Sequence, residues 1–413
     1  MLELKVKLRD FCFYFVLLTG LLSNYLEFFL IWKIMLIVLC VLLLCAKINK
    51  SSVSISKYIL YNILILLFVL IVISLIIGRI TYLPKNIWTV FPTILVMTIL
   101  GSIEKRCFDY IKIKLEKNFI LLNIIWIFNL FALTLQVSGV HFLIKDSGLA
   151  VNAYYEDSCS GIFGTGGTHI LALYAIFILI LNFFMCVTGK IKLKASVLIY
   201  TLISEFYMLY LCTLSDNNAF IFLLPIFILS IWALTRKMNM KVNFKHIVIA
   251  LFIVLLPFAA YTYIPGLAEF IERTTMSRLS GFFIDATVSG GSNERIMVAK
   301  YAFENGPGFK LGYGFGSFAL DESGVAGFTH FGINCFSTII FLCGIWIYFL
   351  WLFIYTKLIT LNNYEDKFLF IIDMMICFVI SLYSDPFWDM TMSIWLFFII
   401  YLIGKCRKVI LNN

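Results

Sequence analysis

Twelve apolar runs with short polar connectors between most of them leave this chain few ways to fold. They fall near 10–23, 28–46, 58–78, 86–103, 119–136, 169–187, 195–213, 219–234, 247–264, 333–355, 368–384 and 390–404. An apolar run of ~20 residues crosses the hydrocarbon core of a bilayer as one helix. The chain therefore reads as an all-α polytopic membrane protein with about twelve transmembrane helices. Composition agrees: 62% of its 413 residues are hydrophobic and only 13% are charged, about half the charged share of a soluble domain. The opening MLELKVKLRD resembles the start of a signal peptide, but no small-residue cleavage site follows it. It is expected to lead a first span that is retained.

The net charge of +9 would suit a nucleic-acid partner only if the basic residues formed a stripe. They stand instead in clusters between apolar runs. With a cytoplasmic N-terminus, 23 of the 32 Lys and Arg residues lie in inner segments. The positive-inside rule then puts both termini in the cytoplasm. The eleven cysteines form no C-x-x-C pair and mostly sit inside apolar runs, where they act as small apolar residues. The four histidines, at 141, 169, 246 and 330, lack metal-ligand spacing, so no metal site and no cofactor are expected.

Three regions follow. Residues 1–264 hold spans one to nine with an outer loop at 138–168. Residues 265–332 form a 68-residue extracytoplasmic loop, and 333–413 hold the last three spans and a cytoplasmic tail. The inner connectors are too short for a nucleotide-binding domain. No repeat links the two halves, as it does in many secondary transporters. A transporter would also need ionisable residues inside its spans, and Glu205 and Asp373 are such residues.

The long loop carries helix signals. Ser292 can cap a helix through NERIMVAKYAF, and Asn305-Gly306-Pro307-Gly308 ends it. Arg295, Ala299 and Ala302 share one face, so the guanidinium could lie close to a ligand or sit on a plain interfacial surface. Gly312-Tyr313-Gly314-Phe315-Gly316-Ser317 follows. No strand precedes it, so a dinucleotide site is excluded. Alternating glycines and aromatics suit a tight loop whose backbone approaches a ligand or a helix, or a simple connector. His330 stands before the tenth span with Asn334 four residues on. Its imidazole could take a proton from a hydroxyl, or simply pack at the interface.

These residues carry a resemblance. Ser292-Asn293-Glu294-Arg295, Gly306-Pro307, Gly312 to Phe318 and then His330 are similar to the loop of the bacterial O-antigen ligase and polysaccharide polymerase (Wzy-type) family. Ser160-Gly161-Ile162-Phe163-Gly164-Thr165-Gly166-Gly167-Thr168-His169 resembles a second segment of that family. Ser215-Asp216-Asn217-Asn218 stands where relatives often carry Ser-Arg. Relatives also follow the histidine directly with asparagine, whereas Phe-Gly-Ile intervenes here.

The resemblance implies a GT-C-like fold and a metal-independent glycosyltransferase at the outer face of the bacterial inner membrane. Its substrate would be an oligosaccharide on undecaprenyl diphosphate, and its partners membrane lipids, a chain-length regulator and a flippase. It implies catalytic roles for Arg295 and His330, with Asp216, Asp285 and Glu294 as other candidate bases. Arg273 and Arg278 would help to hold the diphosphate. Gly312, Gly314, Gly316, Gly161, His169, Asp216 and Asn217 would shape the sugar cleft. A ligase that transfers the glycan to another acceptor, and a flippase or transporter, are the alternatives.

Overall fold

The computed structural model describes residues 2–26, 30–45, 65–104, 109–140, 142–143, 159–164, 167–191, 194–215, 218–235, 301, 312–320, 334–360 and 367–412. All regular structure among them is helical. The helices are α1 (Leu2–Leu26), α2 (Leu30–Cys45), α3 (Ile65–Ile77), α4 (Leu83–Glu104), α5 (Tyr110–Lys117), α6 (Phe119–Val137) and α7 (Thr168–Val187). They continue with α8 (Lys194–Leu214), α9 (Asn218–Thr235), α10 (Cys335–Cys343), α11 (Ile345–Ile359), α12 (Lys367–Tyr383) and α13 (Met390–Asn412). Among them α4, α6, α7 and α8 are each long and apolar enough to cross a membrane, and several shorter apolar helices accompany them. The run at 247–264 lies outside the described residues.

One run departs from expectation. Residues 333–355 read as a single span but form two helices, α10 and α11, that meet at Gly344. Gly344 has φ +82°, a conformation that any side chain would resist. A helix that stops leaves its last carbonyls without donors. Here a distant segment supplies them: Tyr313 N–H donates to Phe341 O at 3.2 Å and Gly314 N–H to Leu342 O at 2.8 Å.

The centre of the bundle is α7 packed along α13. Nearly every residue of α7 is buried, as suits a helix that is apolar all round. Tyr174 and Phe177 meet Trp395 with ring centroids 4.6 and 5.2 Å apart. The Trp395 indole N–H donates to Gly20 O at 2.9 Å, tying α13 to α1. By contrast, α6 and α8 expose Ile120, Ile124, Phe131, Ile199, Ile203 and Phe206 on faces fit for lipid. The same two helices and α7 share a buried polar cluster. Asn123 and Asn182 exchange amide hydrogen bonds at 3.0 and 3.1 Å, and Asn182 donates to Thr201 at 2.9 Å.

The short helix α5 gathers one end of the bundle. Its Lys114 pairs with Asp10 of α1 at 2.7 Å. Its Ile111 N–H donates to Glu104 of α4 at 2.9 Å. Lys405 of α13 reaches Asp109 at 3.1 Å and Glu104 at 3.7 Å. Segments assigned to the cytoplasm by charge counting thus neighbour one another, and the candidate site lies at the opposite end.

Candidate functional site

At that opposite end three short polar segments are pinned against helix ends. The first is the glycine loop, 312–320. Asn86, fully buried in α4, holds it with both ends of its side-chain amide. Nδ2 donates to Phe315 O at 2.5 Å and to Phe318 O at 2.7 Å, while Oδ1 accepts from Leu320 N–H at 2.9 Å. Tyr82 N–H donates to Gly316 O at 2.9 Å. Gly312 has φ +78°, and a Cβ there would overlap the Leu342 carbonyl. The close approach that these glycines permit is therefore to helix backbone.

The loop's aromatic side chains are shared between two neighbours. Phe315 packs edge-on against Trp351 at 5.6 Å. Tyr313 and Phe318 flank the Phe341 ring at 4.6 and 5.7 Å, and Tyr301 lies 5.8 Å from that ring. Beside Tyr313 stands Arg79, in the turn between α3 and α4, with its guanidinium carbon 5.8 Å from the ring centroid.

The second segment is 159–164. Gln136 of α6 accepts from Gly161 N–H at 2.8 Å and donates to Gly161 O at 2.9 Å. Asn129 accepts from Ile162 N–H at 2.9 Å. This grip leads the chain into α7, whose second residue is His169.

The third is the turn Ser384–Asp389 between α12 and α13. His169 Nδ1 lies 2.8 Å from Ser384 Oγ, and its ring sits 4.9 Å from that of Tyr383. The Ser384 hydroxyl, with one proton to give, also lies 3.0 Å from Met392 Sδ and 3.3 Å from Asp385 Oδ1. A cavity of about 10 Å³ behind the imidazole is too small for a sugar ring, so a ligand would have to approach from the end of the bundle. Asp389 is occupied as the cap of α13, accepting from Thr391 and Met392 N–H at 2.7 and 3.0 Å.

No family model matches the chain, and neither does a curated protein or a solved structure.

Of the residues singled out from the sequence, Gly312, Gly314, Gly316, Gly161 and His169 are at this end of the bundle. The glycine loop and the 384–389 turn communicate through Trp351, whose ring lies 5.6 Å from Phe315 and 5.9 Å from Phe387. Arg273, Arg278, Arg295, His330, Asp216 and Asn217 lie outside the described residues. Asn334, considered with His330, is a helix cap. Its Oδ1 accepts from Ser337 N–H at 3.0 Å and its Nδ2 donates to Leu382 O. Among the described residues no three His, Cys, Asp or Glu side chains converge as metal ligands. Sequence reasoning missed Asn86, Arg79 and Ser384. The available signals were a lone arginine in a short connector, and a polar turn, SDPFWD, between two spans.

Proposed function

We propose that the protein is a membrane glycosyltransferase that polymerises oligosaccharide units carried on undecaprenyl diphosphate. In this reading it has about twelve spans in a GT-C-like arrangement, both termini in the cytoplasm, and its working end outside the inner membrane of a bacterium. One observation carries the reading. The two segments that resemble the polymerase and ligase family, 160–169 and 312–318, lie at the same end of the bundle, linked through Ser384–Asp389 and Trp351. An apolar groove of about 520 Å³ between α6 and α8, lined by Leu130, Ile199, Tyr200, Ile203 and Tyr207 among others, suits an isoprenoid chain.

The chemistry needs no nucleotide, because the donor already carries a good leaving group. The acceptor hydroxyl bonds to the anomeric carbon, the bond from that carbon to the diphosphate oxygen breaks, and the hydroxyl proton passes to a base. Arg295, with Arg278 or Arg273, would neutralise charge on the departing diphosphate through paired hydrogen bonds. His330 would take the proton. His169 would help to shape the sugar cleft. The glycine loop would set the shape of the cleft wall, and a flippase and a chain-length regulator would be the partners.

The test is direct. Purified protein is incubated with lipid-linked repeat units, without nucleotide or added metal, and the products are resolved by size. A ladder of chain lengths is the expected result. A single transfer to a different acceptor would favour a ligase, and no product at all would overturn the proposal.

A further inference from the structure

Arg79 is an exposed cation in a fixed position. Its N–H donates to Ser74 O at 3.1 Å. Its carbonyl oxygen lies 2.7 Å from where a Cβ on Gly316 would stand, so the turn and the glycine loop are in contact. Its guanidinium lies against the ring of Tyr313, which is itself held. The Tyr313 N–H bonds to Phe341 O, its carbonyl accepts from Ser317, and its ring packs on Phe341.

A guanidinium 5.8 Å from an aromatic centroid is within cation–π range, and its N–H donors can pair with two phosphate oxygens at once. Among the described residues no carboxylate pairs with Arg79. An exposed cation beside an aromatic ring, with no carboxylate partner among the described residues, suits an anion attached to a larger organic group.

We infer that Arg79, backed by Tyr313, is a phosphate-binding arm that holds the diphosphate of a lipid-linked substrate at the rim of the glycine loop. The inference rests on the function proposed above and adds to it a residue more than 200 positions before Arg295 in the chain. Phosphate could also come from bulk phospholipid headgroups, and the experiment separates the two sources.

The protein is placed in phosphatidylcholine nanodiscs, undecaprenyl diphosphate is titrated in, and binding is read by thermophoresis. Retention of phosphatidylglycerol is measured in parallel by native mass spectrometry. R79Q should weaken diphosphate binding by about 10- to 100-fold, the loss expected for a charge-assisted pair. R79K should fall between, because a point charge lacks the fork. K85Q, which removes a neighbouring exposed charge, should stay within about twofold of the wild type.

Undiminished binding by R79Q would overturn this inference and leave the proposed function standing. So would an equal loss in K85Q, which would mean diffuse attraction. A variant that loses phosphatidylglycerol but keeps the diphosphate would assign Arg79 to bulk lipid and also overturn it. Failure of the wild type to bind undecaprenyl diphosphate would overturn both the inference and the substrate class on which it rests.

Discussion

The Asn86 side chain reaches across 229 residues of sequence to the Phe315 carbonyl, at 2.5 Å, and from there organises the whole glycine loop. Its three hydrogen bonds all go to loop backbone, and a methyl group at that position could replace none of them. Asn86→Ala should therefore cost roughly 2–4 kcal/mol, the sum of three modest buried bonds. Asn86→Asp should be as harmful, because it replaces the donor that two carbonyls need. Thermal unfolding in detergent and protease cleavage near 312–320 would measure this. An unchanged midpoint in both variants would show that the loop is held by other contacts.

Gly312 and Gly314 make a matched pair for testing why glycine is needed. Both have positive φ, +78° and +93°, but only at Gly312 does an added Cβ meet the backbone of α10. Gly314→Ala should cost about 1–2 kcal/mol, the conformational penalty alone. Gly312→Ala adds a steric clash with a helix and should unfold or misassemble the region. Equal unfolding midpoints for the two variants would refute the distinction.

The hydroxyl of Ser384 lies 2.8 Å from His169 Nδ1, so its loss should act through the imidazole. Under the proposed function, Ser384→Ala should raise the KM for the lipid-linked unit by about 5- to 10-fold, the value of one hydrogen bond to ligand. The change in kcat should be smaller, and Ser384→Thr should restore binding. Wild-type KM in Ser384→Ala beside a severe loss in His169→Gln would rule out the positioning role.

Glu205 is the odd group of the interior. It lies in the middle of α8, only 4% exposed, and neither carboxylate oxygen has a hydrogen-bond partner. A polar group buried this way costs about 1–3 kcal/mol. Glu205→Leu should recover part of that and raise the unfolding midpoint and, under the proposed function, leave chain elongation unaffected. A lower midpoint would show that the carboxyl stabilises the fold, and a loss of activity would point toward ion-coupled transport.

Much of the helical body was legible because lipid forces each apolar run to satisfy its own backbone. Runs such as 119–136 and 169–187 accordingly match α6 and α7 almost residue for residue. The break at Gly344 was not legible. Glycine is common within membrane helices, and the reason for this break is the arrival of Tyr313 and Gly314 from another segment. Asn86 was hidden for a similar cause, since within its run it reads like Asn123, Asn129 or Asn182. His169 was picked out on its own, but its partner Ser384 lies 215 residues further on, and no spacing rule connects them.

The central position of α13 bears on how the protein is made. This helix leaves the ribosome after α1, α4 and α7, yet it supplies the surface on which all three pack. Trp395 then reaches Gly20 and Lys405 reaches Asp109, tying α13 to elements made before it. The packing of α1, α4 and α7 is therefore complete only once α13 has been made.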